Sequence, residues 1–282
     1  MSRRTETPFW NPDALQSLLP TRIVGRQLAV FNRITSTNDF LKRAARRGAA
    51  TGSVVLADEQ TAGRGRLQRP WQSPAGKGLW FSVLLRPQLA PEKLGMISLA
   101  IAAVVAEVFS KFCRQEFQVK WPNDVLFEGR KVCGILCETQ IVQDEIEAII
   151  AGIGVNVSQR QQEFPPALRE RATSLEQICG RPIDRQRLLI ELLLALEKNL
   201  FGNLRSKLAL LKASWCNRCG DLGQHLTVTQ APMDRLKRIT TGVFEGIGDS
   251  GELILRLSNG TLQFFSAGEI TLAHEGWSPS TP

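Results

Sequence analysis

Apolar positions along the chain change period several times, and each change marks an element. "RQLAVFNRI" (26–34) reads as a strand. Ser36 or Thr37 then offers an N-cap, and "NDFLKRAARRG" (38–48) reads as a helix ended by Gly48. "SVVLADEQT" and "GLWFSVLLRP" read as strands, the second closed by Pro87. "PEKLGMISLAIAAVVAEVFSKF" (91–112) is apolar on all sides, which predicts a buried helix. "QEFQVKW" and "VCGILCETQIV" read as strands joined by "PNDVLFEGRK", and "EIEAIIAGIGVNVSQ" as another. A helix-rich stretch follows from Thr173 to Cys216, with one long amphipathic pattern from Asp184 to Lys212. After Asp221, "HLTVTQ", "RITTGVFEGIG", "GELILRL" and "TLQFFSAGEITL" alternate with glycine turns as a small all-β module.

These patterns divide the chain into a lead-in (1–20), a larger unit (21–221), a β module (222–275) and a tail (276–282). Strands and helices mix without strict alternation, so the larger unit is expected to be α+β, a mixed sheet with helices packed on it. Pro8, Pro12 and Pro20 leave the lead-in room for a turn or two of helix around "DALQSLL", not for a helix-turn-helix domain.

Composition changes this picture little. The 282 residues are 43% apolar and 22% charged, enough for a packed catalytic domain with a small accessory one. No apolar run of about 18 or more residues is evident, so no membrane span is expected. The start lacks a secretory signal, which suggests the cytoplasm. Six cysteines, at 113, 133, 137, 179, 216 and 219, form no dense framework and read as reduced thiols. Cys216 and Cys219 have metal-ligand spacing but no second pair, and the only histidines are His225 and His274, so no metal site is expected. The net charge of +8 favours anionic partners. Lys42, Arg43, Arg46 and Arg47 lie at helical spacing and read as a solvated face.

Four stretches carry candidate chemistry. In "GRGRLQRPWQSPAGKGLWFSV" (63–83), glycines permit unusual backbone angles or close approach, and Arg64 and Arg66 offer paired donors to a carboxylate or phosphate. It is no Walker loop: Trp71 stands where a glycine is required and Gly78 where a Ser or Thr is. In "VKWPNDV" (119–125), Lys120 ends a strand beside Trp121 and a turn. "GIGVNV" (152–157) is half a dinucleotide fingerprint, but Val157 replaces the third glycine and no helix follows; its glycines let a ligand lie against the strand. Asn156 there is a polar contact or a strand-end cap. "TSTND" (35–39) crowds hydroxyls and amides at a helix start, which suits both capping and polar-ligand binding. The larger unit contains no histidine, so a Ser-His or Cys-His relay is not expected there. The remaining inventory of Arg, Lys, glycine backbone and amides suits charge stabilisation of phosphate or acyl-phosphate chemistry.

"STN" (36–38), "EQTAGRGRLQRPWQSPAGKGLWFSVLL" (59–85), "KWPNDVLFEGRKVCGILCE" (120–138) and "GIGVNV" resemble biotin–protein ligases, in that family's order and spacing. GRGR followed by KWPND is the specific part. The likeness is strong over about residues 30–160 and continues more weakly through "GELILRL…GEITL". It implies an α+β catalytic domain with an SH3-like barrel, ATP and biotin as substrates with Mg2+, a biotinyl-AMP intermediate and transfer to a lysine of a biotin carboxyl carrier protein or domain. By the same resemblance Ser36, Thr37, Asn38 and Gln60 would contact the biotin head group. Gly63, Arg64, Gly65 and Arg66 would order over biotin and the adenylate. Lys120, with Arg64 and Arg66, would stabilise charge at the acyl phosphate, and Gly134, Gly152 and Gly154 would line the biotin slot. Arg66, Trp71, Lys131 and Asn156 would face the nucleotide. Monomers and homodimers both fit. The short lead-in suggests a form without a repressor's DNA-binding domain, so no DNA partner is expected, and Ala273 stands where the family often has arginine. Competing readings are a lipoate ligase or octanoyltransferase, a nucleic-acid-binding regulator, and a biotin-binding module without catalysis.

Overall fold

The computed structural model describes residues 10–143, 145–230 and 238–272, apart from the side chains of Glu269 and Leu272. Residues 1–9, 144, 231–237 and 273–282, Ala273 and His274 among them, lie outside that description. The lead-in holds one helix, α1 (Pro12–Leu18), capped by the Asn11 side chain. The chain then forms β1 (Leu28–Ile34), α2 (Thr37–Arg46), β2 (Val54–Gln60) and β3 (Gly78–Leu85). These precede α3 (Leu94–Cys113), β4 (Gln118–Lys120), β5 (Asp124–Phe127), β6 (Arg130–Val142) and β7 (Glu145–Asn156). Helices α4 (Leu175–Cys179), α5 (Arg185–Leu200) and α6 (Leu204–Arg218) lead to β8 (His225–Gln230), β9 (Arg238–Ile247), β10 (Leu253–Arg256), β11 (Leu262–Phe265) and β12 (Glu269–Leu272).

Seven strands form one sheet in the order β1-β2-β3-β7-β6-β5-β4. Only β1 and β2 pair in parallel; the other neighbours are antiparallel. The sheet is therefore mixed, as the α+β reading expects. Helix α2 packs on β2, β3 and β7, while α3 packs on β4, β5 and β6 and against α5 and α6. The second sheet, β11-β10-β9-β8-β12, is antiparallel throughout.

Three elements differ from the sequence expectation. The link "PNDVLFEGRK" contains a strand, β5, turned into β6 at Glu128 and Gly129, both with positive φ (+48° and +73°), as a two-residue hairpin turn requires. The long amphipathic pattern is two helices: Gly202 turns at φ +81° and the Asn203 side chain caps α6. "TLQFFSAGEITL" is two strands at opposite edges of the second sheet.

Helix α3 is long and apolar enough to cross a membrane by composition. Its residues from Met96 to Phe109 are instead largely buried between the sheet and the other helices, each large side chain stabilising the core by about 1.5–3 kcal/mol. At its end Cys113 is bonded to Cys179 of α4, with the Cα atoms 5.3 Å apart. This corrects the expectation of reduced thiols for that pair. The bridge joins two helix ends 66 residues apart, and no spacing pattern announces such a meeting. Cys133, Cys137, Cys216 and Cys219 are free thiols, and burial pushes Cys137 and Cys219 up to about 12.

The head of α3 meets the turn between β9 and β10 of the second sheet backbone to backbone. A Cβ on Gly251, which has φ +89°, would lie 2.5 Å from the Gly95 carbonyl carbon, and one on Gly95 would lie 2.4 Å from the Ser250 oxygen. The Trp121 indole closes the same junction by donating to the Gly251 carbonyl at 3.0 Å. Gly251→Ala adds both overlap and left-handed strain, so it should destabilise the protein by about 2–4 kcal/mol, read from urea unfolding.

Candidate functional site

The site is built outward from the start of α2. Ser36 caps the helix, its hydroxyl accepting the Asp39 amide at 3.3 Å. Gln60, at the end of β2, accepts from the Thr37 amide (2.8 Å) and hydroxyl (3.0 Å), and its own amide donates to Ser73 (3.1 Å). Ser82 supplies a hydroxyl from the fully buried β3 and bonds the Thr37 hydroxyl (2.7 Å) and the Asn38 side-chain oxygen (2.6 Å). Asn38 donates to the Glu138 carboxylate (2.9 Å) and the Leu136 carbonyl (3.3 Å). A Cβ on Gly152 would lie 2.3 Å from the Asn38 oxygen, so that glycine lets the helix start settle onto the sheet.

The loop after β2 folds back on itself. The Gly65 amide donates to Arg69 and the Trp71 amide to Gly63. Gly63 is required by space: its Cβ would lie 2.6 Å from the Trp71 carbonyl oxygen. The unusual backbone angles fall elsewhere than on the two GRGR glycines. Leu67 (φ +54°) and Gln68 (φ +59°) are left-handed, a strained state for side-chain-bearing residues.

Arg64 leaves this loop and meets two carboxylates. It donates to both Asp39 oxygens (2.7 and 2.6 Å) and to both Glu138 oxygens (3.1 Å each). Lys42 adds a 2.9 Å bond to Glu138. The Arg64 hydrogen bond holds the Asp39 carboxyl below its usual range. Burial alone would raise Glu138, but bonds from Lys42, Asn38 and Arg64 outweigh it and hold that carboxyl low as well. The same carboxylates raise Arg64 further above its ordinary value.

Beside this cluster lies a glycine floor. Gly134 of β6 is opposite Gly154 of β7, and the Trp71 indole covers both: a Cβ on Gly154 would lie 2.5 Å from the Trp71 ring nitrogen, and one on Gly134 3.0 Å from the ring. Lys131 stands 5.1 Å above the same ring and 2.6 Å from Asp124. Farther along, the Arg66 guanidinium lies 5.9 Å over Trp121 and donates to the Gly268 carbonyl at 3.4 Å. A cavity of about 250 Å³ opens there, lined in part by Arg66, Trp121, Pro122, Cys137 and Gly251. Lys120 ends β4 opposite Asp124. Its charge partly offsets the burial that raises the Asp221 carboxyl. Asn156 is buried and ties the end of β7 down, donating to the Thr173 carbonyl at 3.1 Å and accepting from Gln159 at 3.3 Å.

The expected residues thus fall into neighbouring groups. Ser36, Thr37, Asn38, Gln60, Arg64 and Gly152 form one; Trp71, Lys131, Gly134 and Gly154 form the next; Arg66 lies over the Trp121 that follows Lys120. Sequence reasoning missed Asp39, Ser73, Ser82, Asp124 and Glu138. Ser82 did carry a signal, as the one hydroxyl within "GLWFSVLL".

Residues 30–156 match the model of the biotin/lipoate A/B protein ligase family, and residues 222–272 that of the biotin protein ligase C terminal domain. The bifunctional ligase/repressor BirA of Bacillus subtilis is 34% identical over 253 residues, which cover 88% of this chain and 75% of that protein. The biotin–[acetyl-CoA-carboxylase] ligase of Mycobacterium tuberculosis is 34% identical over 250 residues, covering 87% of this chain and 88% of that one. The solved structure titled biotin protein ligase from Aquifex aeolicus in complex with biotin and ATP matches with a TM-score of 0.74 and 31% identity, covering 89% of this chain and all (100%) of that one.

Two outcomes follow from the charge and hydroxyl geometry. Ser82→Ala leaves the buried Asn38 oxygen without its donor and should cost about 1–3 kcal/mol in urea unfolding. The carboxyls of Asp39 and Glu138 sit lower folded than unfolded, so the unfolded chain takes up protons first as pH falls. Their stabilisation is complete about one pH unit above the unfolded carboxyl values of about 3.9 and 4.3, and disappears as pH drops through the lowered values. Unfolding free energy should therefore fall more steeply between pH 5 and 3 in the native protein than in Asp39→Asn/Glu138→Gln.

Proposed function

The chain belongs to the biotin protein ligase family, and on that premise we propose that it activates biotin with ATP and transfers it to a lysine of a biotin carboxyl carrier protein or domain. In the first step a biotin carboxylate oxygen attacks the α-phosphorus of ATP, and pyrophosphate leaves. In the second, a neutral lysine amine attacks the acyl carbon of biotinyl-AMP; the amide forms, AMP leaves and the amine proton passes to solvent. Magnesium enters as the ATP complex, held chiefly by phosphate oxygens.

The observation that carries this reading is the arrangement of groups around the glycine floor. At one side stand the hydroxyls and amides of Ser36, Thr37, Asn38 and Gln60, suited to a compact ureido group that needs both donors and acceptors. At the other stand Lys131, Arg66 and Lys120, cations suited to a carboxylate and a phosphate. Trp71, packed against Gly134 and Gly154 beneath Lys131, is proposed to meet the nucleotide together with that lysine. Lys120 and Arg66 are the groups proposed to stabilise negative charge as the acyl phosphate forms.

The repressor half of the Bacillus subtilis relative's name is not carried over. A lipoate or octanoate ligase is the competing chemistry, since the matched family model spans both biotin and lipoate enzymes. ATP–pyrophosphate exchange, run with biotin, lipoate and octanoate separately, decides between them. Exchange with biotin alone is expected; exchange with lipoate would move the substrate and keep the chemistry, and exchange with none would end the ligase reading. Lys120→Ala should lower the exchange rate by about a hundredfold or more with an unchanged melting temperature.

A further inference from the structure

Arg64 is one of the two loop arginines that the resemblance assigns to the reacting anion, yet its side chain is already fully engaged. It spans Asp39 of α2 and Glu138 of β6 with four hydrogen bonds. Glu138 in turn accepts from Asn38 and Lys42, one helical turn apart on α2. The formal charges of Asp39, Glu138, Arg64 and Lys42 cancel, so the cluster has little net pull on an incoming anion. The side chains of Arg64 and Glu138 are only 17% and 18% exposed, and withdrawing Arg64 would strand two acids against Lys42. A guanidinium so placed ties elements together, and here they are the loop, α2 and β6.

The loop supplies a reason to be tied. Leu67 and Gln68 are both left-handed, at a cost of about 1–2 kcal/mol each. The bonds within the loop, from Gly65 to Arg69 and from Trp71 to Gly63, shape its hairpin but do not attach it to the body of the protein. Among its attachments are Arg64, Arg66 on the Gly268 carbonyl, Trp71 on the glycine floor and the Ser73 hydroxyl on the Trp71 carbonyl.

We propose that Asp39 and Glu138 form the fixed jaw of a latch that holds the 63–71 loop shut through Arg64. Arg64 is then a positioning residue, and the anion-facing task falls to Arg66 and Lys120. What the latch retains, a reactive acyl-adenylate shielded from water, rests on the ligase reading; the latch itself does not.

The test compares the native protein with Asp39→Asn, Glu138→Gln, their double variant, Arg64→Gln, the combination of all three, and Asp39→Glu as the conservative rescue. Trypsin cleavage at the Arg66–Leu67 bond, followed by mass spectrometry without substrates, reads loop opening and needs no turnover. The double variant and Arg64→Gln should each speed cleavage about tenfold. The triple variant should be no faster than either, and Asp39→Glu should restore the native rate in part; because the carboxylate variants lose a part-buried ion pair and melt earlier, cleavage is read well below their melting temperatures. In the second arm, with biotin and Mg-ATP, biotinyl-AMP release should accelerate by a similar factor in the same variants. Native cleavage rates in the double variant would overturn the latch. So would an exchange rate that collapses in Arg64→Gln but not in the carboxylate variants, because Arg64 would then touch the anion itself. If Asp39→Asn melts early through loss of its place in the first turn of α2, Glu138→Gln, which is off that helix, carries the same two readings. Faster cleavage with no adenylate formed by any variant or the native protein would uphold the latch and remove the ligase reading.

Discussion

A hydroxyl buried in the middle of an apolar strand has to be satisfied, and Ser82 is satisfied only by the start of α2. Its bonds to Thr37 and Asn38 set the height and rotation of that helix on the sheet. Everything polar in the site follows from the setting. Thr37 reaches Gln60, Asn38 reaches Glu138, and Asp39 points outward to Arg64. Gly152 is the geometric condition, since any side chain there would meet the Asn38 oxygen. The specificity of the pocket and the packing of the sheet are thus one arrangement.

The cationic half of the site is organised differently. Lys131, Arg66 and Lys120 come from β6, the loop and β4, and each lies near an indole or an acid. Aromatic faces stabilise a cation modestly, so Arg66 over Trp121 and Lys131 over Trp71 are held more weakly than by two carboxylates. That suits groups meant to meet an anion that arrives and leaves. Arg64 differs in degree: Lys131 meets one carboxylate, Asp124, whereas Arg64 is bound by two, Asp39 and Glu138.

Much of the fold was legible because its elements have one buried face. The first strands, α2 and α3 show their periods plainly, and Gly48 marks a true stop at φ +86°. The strand β5 was not, since four residues between a proline and a glycine turn are too few to show a period. The break at Gly202 was hidden because Leu200 and Leu204 continue the apolar pattern across it and both are buried. In the site, the motif residues were legible and their partners were not. Glu138 lies 100 residues from Asn38 and 74 from Arg64, and Ser82 lies 44 from Asn38. Such pairings depend on strand order, which local sequence does not encode. Even the glycines of GRGR mislead in part, for the left-handed turn falls on Leu67 and Gln68.

The contact between Gly95 and Gly251 has a consequence for how this protein can vary. The Gly95 backbone occupies the space where a Gly251 side chain would begin, and the Ser250 carbonyl the space where a Gly95 side chain would begin, so backbone holds each position to glycine. The C-terminal sheet is therefore not an exchangeable cassette. A graft from a relative would seat only if its turn brought the same bare backbone to the head of α3, and changing one glycine would not release the other. The two parts fit as a matched pair, joined by the absence of two methyl groups.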